Sequence, residues 1–116
     1  MVSSQSGVFT AEQANQGSNL FDLRCISCHQ ATYLTSGEFK KQWTGQTVYK
    51  YFAEVRGTMP QDDPRSLTDQ QYVIAVAYLL RTMGMPAGSV ALANDSAAMS
   101  KIRIDTIAGR SGPRTR

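Results

Sequence analysis

The chain has little with which to ligate a metal. One histidine and two cysteines serve 116 residues, and all three fall inside Cys25-Ile26-Ser27-Cys28-His29. A structural zinc site asks for four Cys or His ligands, so that chemistry is excluded. A framework of several disulfides is excluded as well, because only one pair can form. No apolar run approaches the roughly 20 residues that a spanning helix needs. The opening Met1-Val2-Ser3-Ser4-Gln5-Ser6-Gly7 is polar and lacks the apolar stretch of a secretory leader. Charge is sparse and close to balance over most of the chain. Residues 1–57 carry five basic and four acidic groups, 58–86 two and three, and 87–116 five and two. The formal charge of +3 therefore belongs to the tail, and it says little about any face of the body.

What is present is concentrated in that pentapeptide. Two thiols three positions apart lie on one side of a helical turn, so both sulfurs can reach neighbouring rings of one porphyrin. A histidine directly after the second thiol then falls under the metal, and the arrangement is the attachment motif of a c-type haem. A thioredoxin-like redox pair is the first alternative, but it belongs after a strand in a βαβ setting, and no such pattern surrounds these residues. A plain disulfide between Cys25 and Cys28 is the second. The haem reading takes precedence because the only histidine stands where ligation requires it. A covalently held apolar ring would also give so short a chain the centre of its core.

Residues 1–9, rich in Ser and Gln, read as a flexible lead. Thr10 with Gln13 gives a capping box, which predicts a helix from about Ala11 to the first cysteine. Ala14, Gly17, Phe21 and Cys25 recur at three- and four-residue steps and mark one face. Gly17 is a poor helix former, so it points to a second backbone crossing close by, with a merely tolerated glycine as the alternative. After His29, residues 30–41 read as loop. Trp43 is the only tryptophan, and a buried indole N–H needs a partner that a haem propionate would supply; a half-exposed aromatic at a loop-helix junction is the plainer reading. A short helix is expected over 47–56, with Thr44 or Thr47 as cap, Gly57 as stop and Val48, Tyr51, Phe52 and Val55 on its apolar side.

Thr58-Met59-Pro60 follows. A thioether is a soft neutral donor that completes iron coordination in cytochromes c, and Met59 lies on a stretch restricted by Pro60 and Pro64. Met85-Pro86 is a rival Met-Pro pair, and Met83 and Met99 are more distant competitors. Met59 is preferred because Met83 and Met85 sit at the stop of the next helix. That helix is announced by a second capping box, Thr68 with Gln71, by a Leu67–Tyr72 staple, by nine apolar positions from Tyr72 to Leu80, and by Gly84 and Pro86 as terminators. Beyond it, a turn of helix is expected within 91–99. Lys101-Ile102-Arg103-Ile104 alternates as a strand would, predicting that Ile102, Ile104 and Ile107 pack on the body. Residues 108–116 read as disordered.

With these residues in hand, the chain resembles the class I cytochrome c family over about residues 8–86. It looks most like the small monohaem cytochrome domains that accompany bacterial quinoprotein alcohol dehydrogenases. The resemblance rests on Thr10 to His29, Trp43 to Arg56, Thr58-Met59-Pro60, and Ser66 to Tyr72 running into Ala75 to Leu80. It implies an all-α fold of about three main helices around one covalently attached haem c, with the first and last helices crossing and Gly17 and Phe21 meeting the Tyr78 side. It implies axial ligands His29 and Met59 on the iron. Many members carry a proline shortly after the haem histidine; here none lies between His29 and Pro60, so another carbonyl must orient the imidazole.

The expected organisation is a lead (1–9), a cytochrome domain (10–86) and a basic, partly disordered extension (87–116). The expected function is one-electron transfer between periplasmic redox partners, a donor dehydrogenase and an acceptor cytochrome or oxidase, without substrate turnover. Arg24, Lys40 and Lys41 are candidates for a weakly attracting edge. Haem attachment of this type implies export and a removed leader. Two other functions remain in view: a gas sensor or peroxidase-like protein with a labile sixth ligand, and a fixed haem subunit of a dehydrogenase complex.

Overall fold

The computed structural model describes residues 2–24, 42–58 and 65–105. Among them the architecture is all-α, four helices with one short parallel ribbon, as the sequence leads one to expect.

The first helix, α1 (Ala11–Arg24), begins at the expected cap. The Gln13 N–H donates to the Thr10 hydroxyl, and the Thr10 N–H donates to the Gln13 side-chain carbonyl, each at 3.1 Å. Ala14, Gly17 and Phe21 are all buried, so the proposed face is the packed one; Cys25 lies outside the described residues.

The third of the described helices, α3 (Asp69–Thr82), carries the second capping box. Thr68 accepts from Gln71 N–H at 3.1 Å, and Gln71 accepts from Thr68 N–H at 2.8 Å. Leu67 and Tyr72 meet around it, the Leu67 N–H reaching the Tyr72 hydroxyl at 3.4 Å. Seven of the nine positions from Tyr72 to Leu80 are buried. A cap contributes about 1 kcal/mol, whereas each fully buried Val or Leu side chain contributes roughly 1.5–3 kcal/mol. Packing, more than capping, therefore holds α3 in place. Its end is a Schellman motif. Gly84 adopts φ +101°, its N–H donates to the Arg81 carbonyl at 3.0 Å, and the Met85 N–H donates to the Leu80 carbonyl at 3.1 Å.

These two helices cross face to face. Gly17 sits directly against the Ile74 carbonyl, and Phe21 stacks on Tyr78 with ring centroids 5.3 Å apart. The glycine is thus a close-approach residue and not a tolerated one.

The second of the described helices, α2 (Val48–Thr58), buries Val48, Tyr51 and Phe52. Thr47 is its cap, accepting from the Lys50 N–H at 3.1 Å. Gly57 does not stop it. The residue keeps a negative φ, no backbone turn is made there, and the helix runs on through Gly57 to Thr58.

The first and last described segments are tied together. Val2–Ser3 (β1) pairs in parallel with Ile102–Arg103 (β2). A 3-10 turn at Ser4–Ser6 follows β1, and Phe9 is fully buried. Gln13 holds the returning segment as a backbone would, donating to the Leu92 carbonyl at 3.0 Å and accepting from the Leu92 N–H at 2.8 Å. A one-turn helix, α4 (Ser96–Ser100), is capped by Asp95 and buries Met99. Ile102 and Ile104 are buried as their alternation predicted, and Ile104 exchanges 2.8 Å hydrogen bonds with Gly45 and Gln46; Ile107 lies outside the described residues. Nothing in the polar composition of residues 1–9 announces this pairing, because the partners lie at the far end of the chain.

Candidate functional site

Two of the described helices end where the candidate ligand residues begin in the sequence. The described part of α1 ends at Arg24, the residue before Cys25, and α2 ends at Thr58, the residue before Met59. Cys25, Cys28, His29 and Met59 themselves lie outside the described residues, as do Lys40 and Lys41.

Trp43 is placed. It is buried, which removes the half-exposed reading, and its ring stands 4.6 Å from that of Tyr51 at an angle of 47°. Tyr51 is buried beside it, and burial pushes its phenol well above the ordinary range, so the hydroxyl stays protonated and neutral. The sequence marked Tyr51 only as one of four apolar positions on α2. Its pairing with Trp43 could not be read there, since the indole comes from outside the helix. Phe52, on the same helix, is covered by the Arg56 guanidinium at 5.2 Å from the ring centroid.

Between the last turn of α2 and the first of α3 an open cleft of about 490 Å³ is lined by Ala53, Gly57, Leu67 and Tyr72, with Arg56, Arg65 and Asp69 at its polar edge. Residues 59–68 connect the two helices that form it. Arg56 and Asp69 approach to 3.7 Å across it, both well exposed, so the pair adds little to stability. Arg65 holds a positive φ of 66° at the point where the described chain resumes.

The methionine competitors are also placed. The Met85 sulfur is buried among the chain ends, where it accepts from the Ser4 hydroxyl at 3.1 Å and from the Gln5 side-chain amide at 3.3 Å. Those donors engage the lone pairs that a metal would use. Met83 and Met99 are fully packed in the apolar core. Among the described residues no group of three His, Cys, Asp or Glu side chains could hold a metal ion, and no helix is long and apolar enough to cross a membrane.

The donor set fits a c-type haem. Two thiols and an imidazole follow α1 directly, a thioether follows α2 directly, and the rival thioether of Met85 is engaged elsewhere. The family model described as cytochrome c oxidase, cbb3-type, subunit III matches residues 12–79, which span α1, the Cys25–His29 motif, α2, Met59 and most of α3. No curated protein and no solved structure matches the chain. A cytochrome c domain implies covalently bound haem with iron and redox partners to exchange electrons with. The chain belongs to the family of cytochrome c domains represented by subunit III of cbb3-type cytochrome c oxidase.

Proposed function

We propose that this protein is a one-electron carrier that relays electrons between redox proteins outside the cytoplasm and transforms no substrate. Cys25 and Cys28 would hold one haem through thioethers, and His29 and Met59 would ligate its iron. Trp43 would offer its indole N–H to a propionate. When bound, haem c supplies an iron that alternates between Fe(II) and Fe(III).

The remaining work falls to the polypeptide. Trp43, Tyr51, Phe52 and Tyr72 are buried and keep the surroundings dry, and a neutral Tyr51 adds no charge there. The α1–α3 crossing fixes the helix that leads into Cys25, and α2 fixes the approach to Met59. The haem-bearing unit is residues 10–86, with 87–116 as an extension. Cytochrome c domains are typically extracytoplasmic, which supports a periplasmic site with a leader removed. The resemblance to cytochromes that accompany quinoprotein alcohol dehydrogenases supports a dehydrogenase as donor and a cytochrome or oxidase as acceptor.

The observation that supports this reading best is the engagement of the Met85 sulfur by Ser4 and Gln5, which takes the rival Met-Pro pair out of competition for the iron and favours Met59. The ferric absorption spectrum of protein matured in a haem-attaching host tests it. A low-spin six-coordinate spectrum with the weak methionine-to-iron band is expected. A high-spin ferric spectrum, with carbon monoxide bound at once after reduction by dithionite, would replace the carrier with a sensor or peroxidase-like protein.

A further inference from the structure

The turn that carries Trp43 is fixed before any side chain is considered. The Gln46 N–H donates to the Trp43 carbonyl at 3.0 Å, and Gly45 takes a left-handed φ of +91°. The Gly45 N–H donates to the Ile104 carbonyl, and the Gln46 carbonyl accepts from the Ile104 N–H, both at 2.8 Å. Thr47 bridges Arg103 beside them. What remains free at Trp43 is its two side-chain torsions, and a neighbour that is itself fixed can settle them.

Tyr51 is such a neighbour. It lies in the first turns of α2, 1 % exposed, with its backbone N–H donating to the Thr47 carbonyl at 3.2 Å. Its ring stands 4.6 Å from the indole at an angle of 47°. At such separations an aromatic pair favours one tilted arrangement over others by roughly two- to tenfold. A buried position on α2 does not by itself ask for an aromatic residue. Leucine would fill the same space, but without a π face it sets no angle for the indole.

We propose that Tyr51 is a positioning residue for the haem: its ring fixes the Trp43 indole, and with it the N–H that a propionate would accept. The inference rests on the Trp43–propionate contact of the electron-carrier reading and goes beyond it in naming what sets the angle of the indole. An N–H given to a propionate offsets part of a negative charge that otherwise favours Fe(III), so its loss lowers the midpoint potential. Burial keeps the Tyr51 phenol protonated, so the residue adds no charge of its own and acts through geometry.

Redox titration and NMR of the haem-loaded full chain test it. Trp43→Phe, which removes the N–H, should lower the ferrous-to-ferric ratio at a fixed applied potential by about threefold, a fall of about 30 mV at roughly 59 mV per tenfold. Tyr51→Leu should lower it by about twofold, because the indole is then only partly aligned. Tyr51→Phe, which keeps the ring, should leave it in place. The double variant Trp43→Phe/Tyr51→Leu should match Trp43→Phe alone, a result that a general loosening of the core would not give. In the unsubstituted ferrous protein the single indole should give one proton–nitrogen cross-peak that exchanges slowly with solvent. Several indole cross-peaks, or exchange as fast as in an unfolded chain, overturn the proposal even where Tyr51→Leu fails to mature. A fall with Tyr51→Phe equal to that with Tyr51→Leu overturns it in favour of the hydroxyl. A shift with Trp43→Phe but none with Tyr51→Leu overturns this inference and leaves the propionate contact standing, whereas no shift with Trp43→Phe overturns the contact and this inference with it.

Discussion

Gly17 of α1 lies against the Ile74 carbonyl of α3 so closely that a Cβ there would overlap that oxygen and stand 2.8 Å from Cβ of Tyr78. The obstacle is backbone, which cannot swing aside, so one of the helices must shift. Gly17→Ala gains about 1 kcal/mol of helix propensity, but overpacking a close crossing costs about 3 kcal/mol. Denaturant unfolding of the haem-loaded variant should show a net loss near 2 kcal/mol. An unchanged midpoint would mean that the helices do not cross here.

The two Met-Pro pairs separate by what surrounds their sulfurs. Met85 is buried and accepts hydrogen bonds from Ser4 and Gln5, so Met85→Ala should lower stability by roughly 2–5 kcal/mol through a cavity while keeping the low-spin ferric spectrum. Met59→Ala should abolish that spectrum. The reverse pattern, with Met85→Ala turning the iron high-spin, would assign the ligand to the wrong pair.

Gln13 gives a third measurement. Its side chain serves Thr10 N–H on the helix cap and both backbone groups of Leu92 from the returning segment. Gln13→Ala strands the Leu92 N–H and carbonyl, and leaving buried groups unpaired costs about 1–3 kcal/mol. Gln13→Glu keeps the acceptor but loses the donor and places a carboxylate beside the Leu92 carbonyl, so thermal unfolding should rank Glu below wild type as well.

The parts of this molecule that could be read from the sequence are those with local causes. Both capping boxes, the apolar run of α3 and the glycine that ends it depend on residues a few positions apart, and each is where its pattern indicates. Gly57 was misleading because glycine permits a left-handed turn without requiring one, and here α2 simply continues. The lead was opaque for a different reason. Ser4 is buried because it donates to Met85 and accepts from the Asp105 N–H at 2.8 Å, and no pattern within nine residues encodes partners at the other end of the chain. At the site, Trp43 could be singled out as the lone indole, yet its contact with Tyr51 is tertiary. The Cys25–His29 motif, by contrast, rests on spacing alone, and its residues lie outside the described ones.

Asp105 makes the joint between the chain ends sensitive to acid. Its carboxylate is held below the ordinary range first by the hydrogen bond from Arg103 and then by one from the Ser3 hydroxyl. A carboxyl whose folded pKa is depressed contributes stability that is present above its ordinary value of 3.8 and is lost as pH falls through the folded value. The carboxylate is only partly buried and its Arg103 partner is exposed, so the effect is small. Asp105→Asn should lower the melting temperature slightly at neutral pH, and the gap should close below pH 3.8. A gap that widens on acidification would contradict the assignment.

The returning segment is the last element whose role can be measured. Leu92, Met99, Ile102 and Ile104 are all less than a tenth exposed, and Ile104 bonds the backbone just before α2 at Gly45 and Gln46. Four such side chains leaving the core outweigh the backbone entropy that the deleted segment recovers only if they pack as closely as their burial indicates. Deleting residues 88–116 should then lower the melting temperature by roughly 10 °C or more. The single change Ile104→Ala, which keeps the chain complete, should cost about 2–4 kcal/mol with no change in the haem spectrum. A segment that merely rested on the surface would give neither loss, and the joining of the two chain ends through Ser4, Met85 and Asp105 would then contribute nothing to the fold.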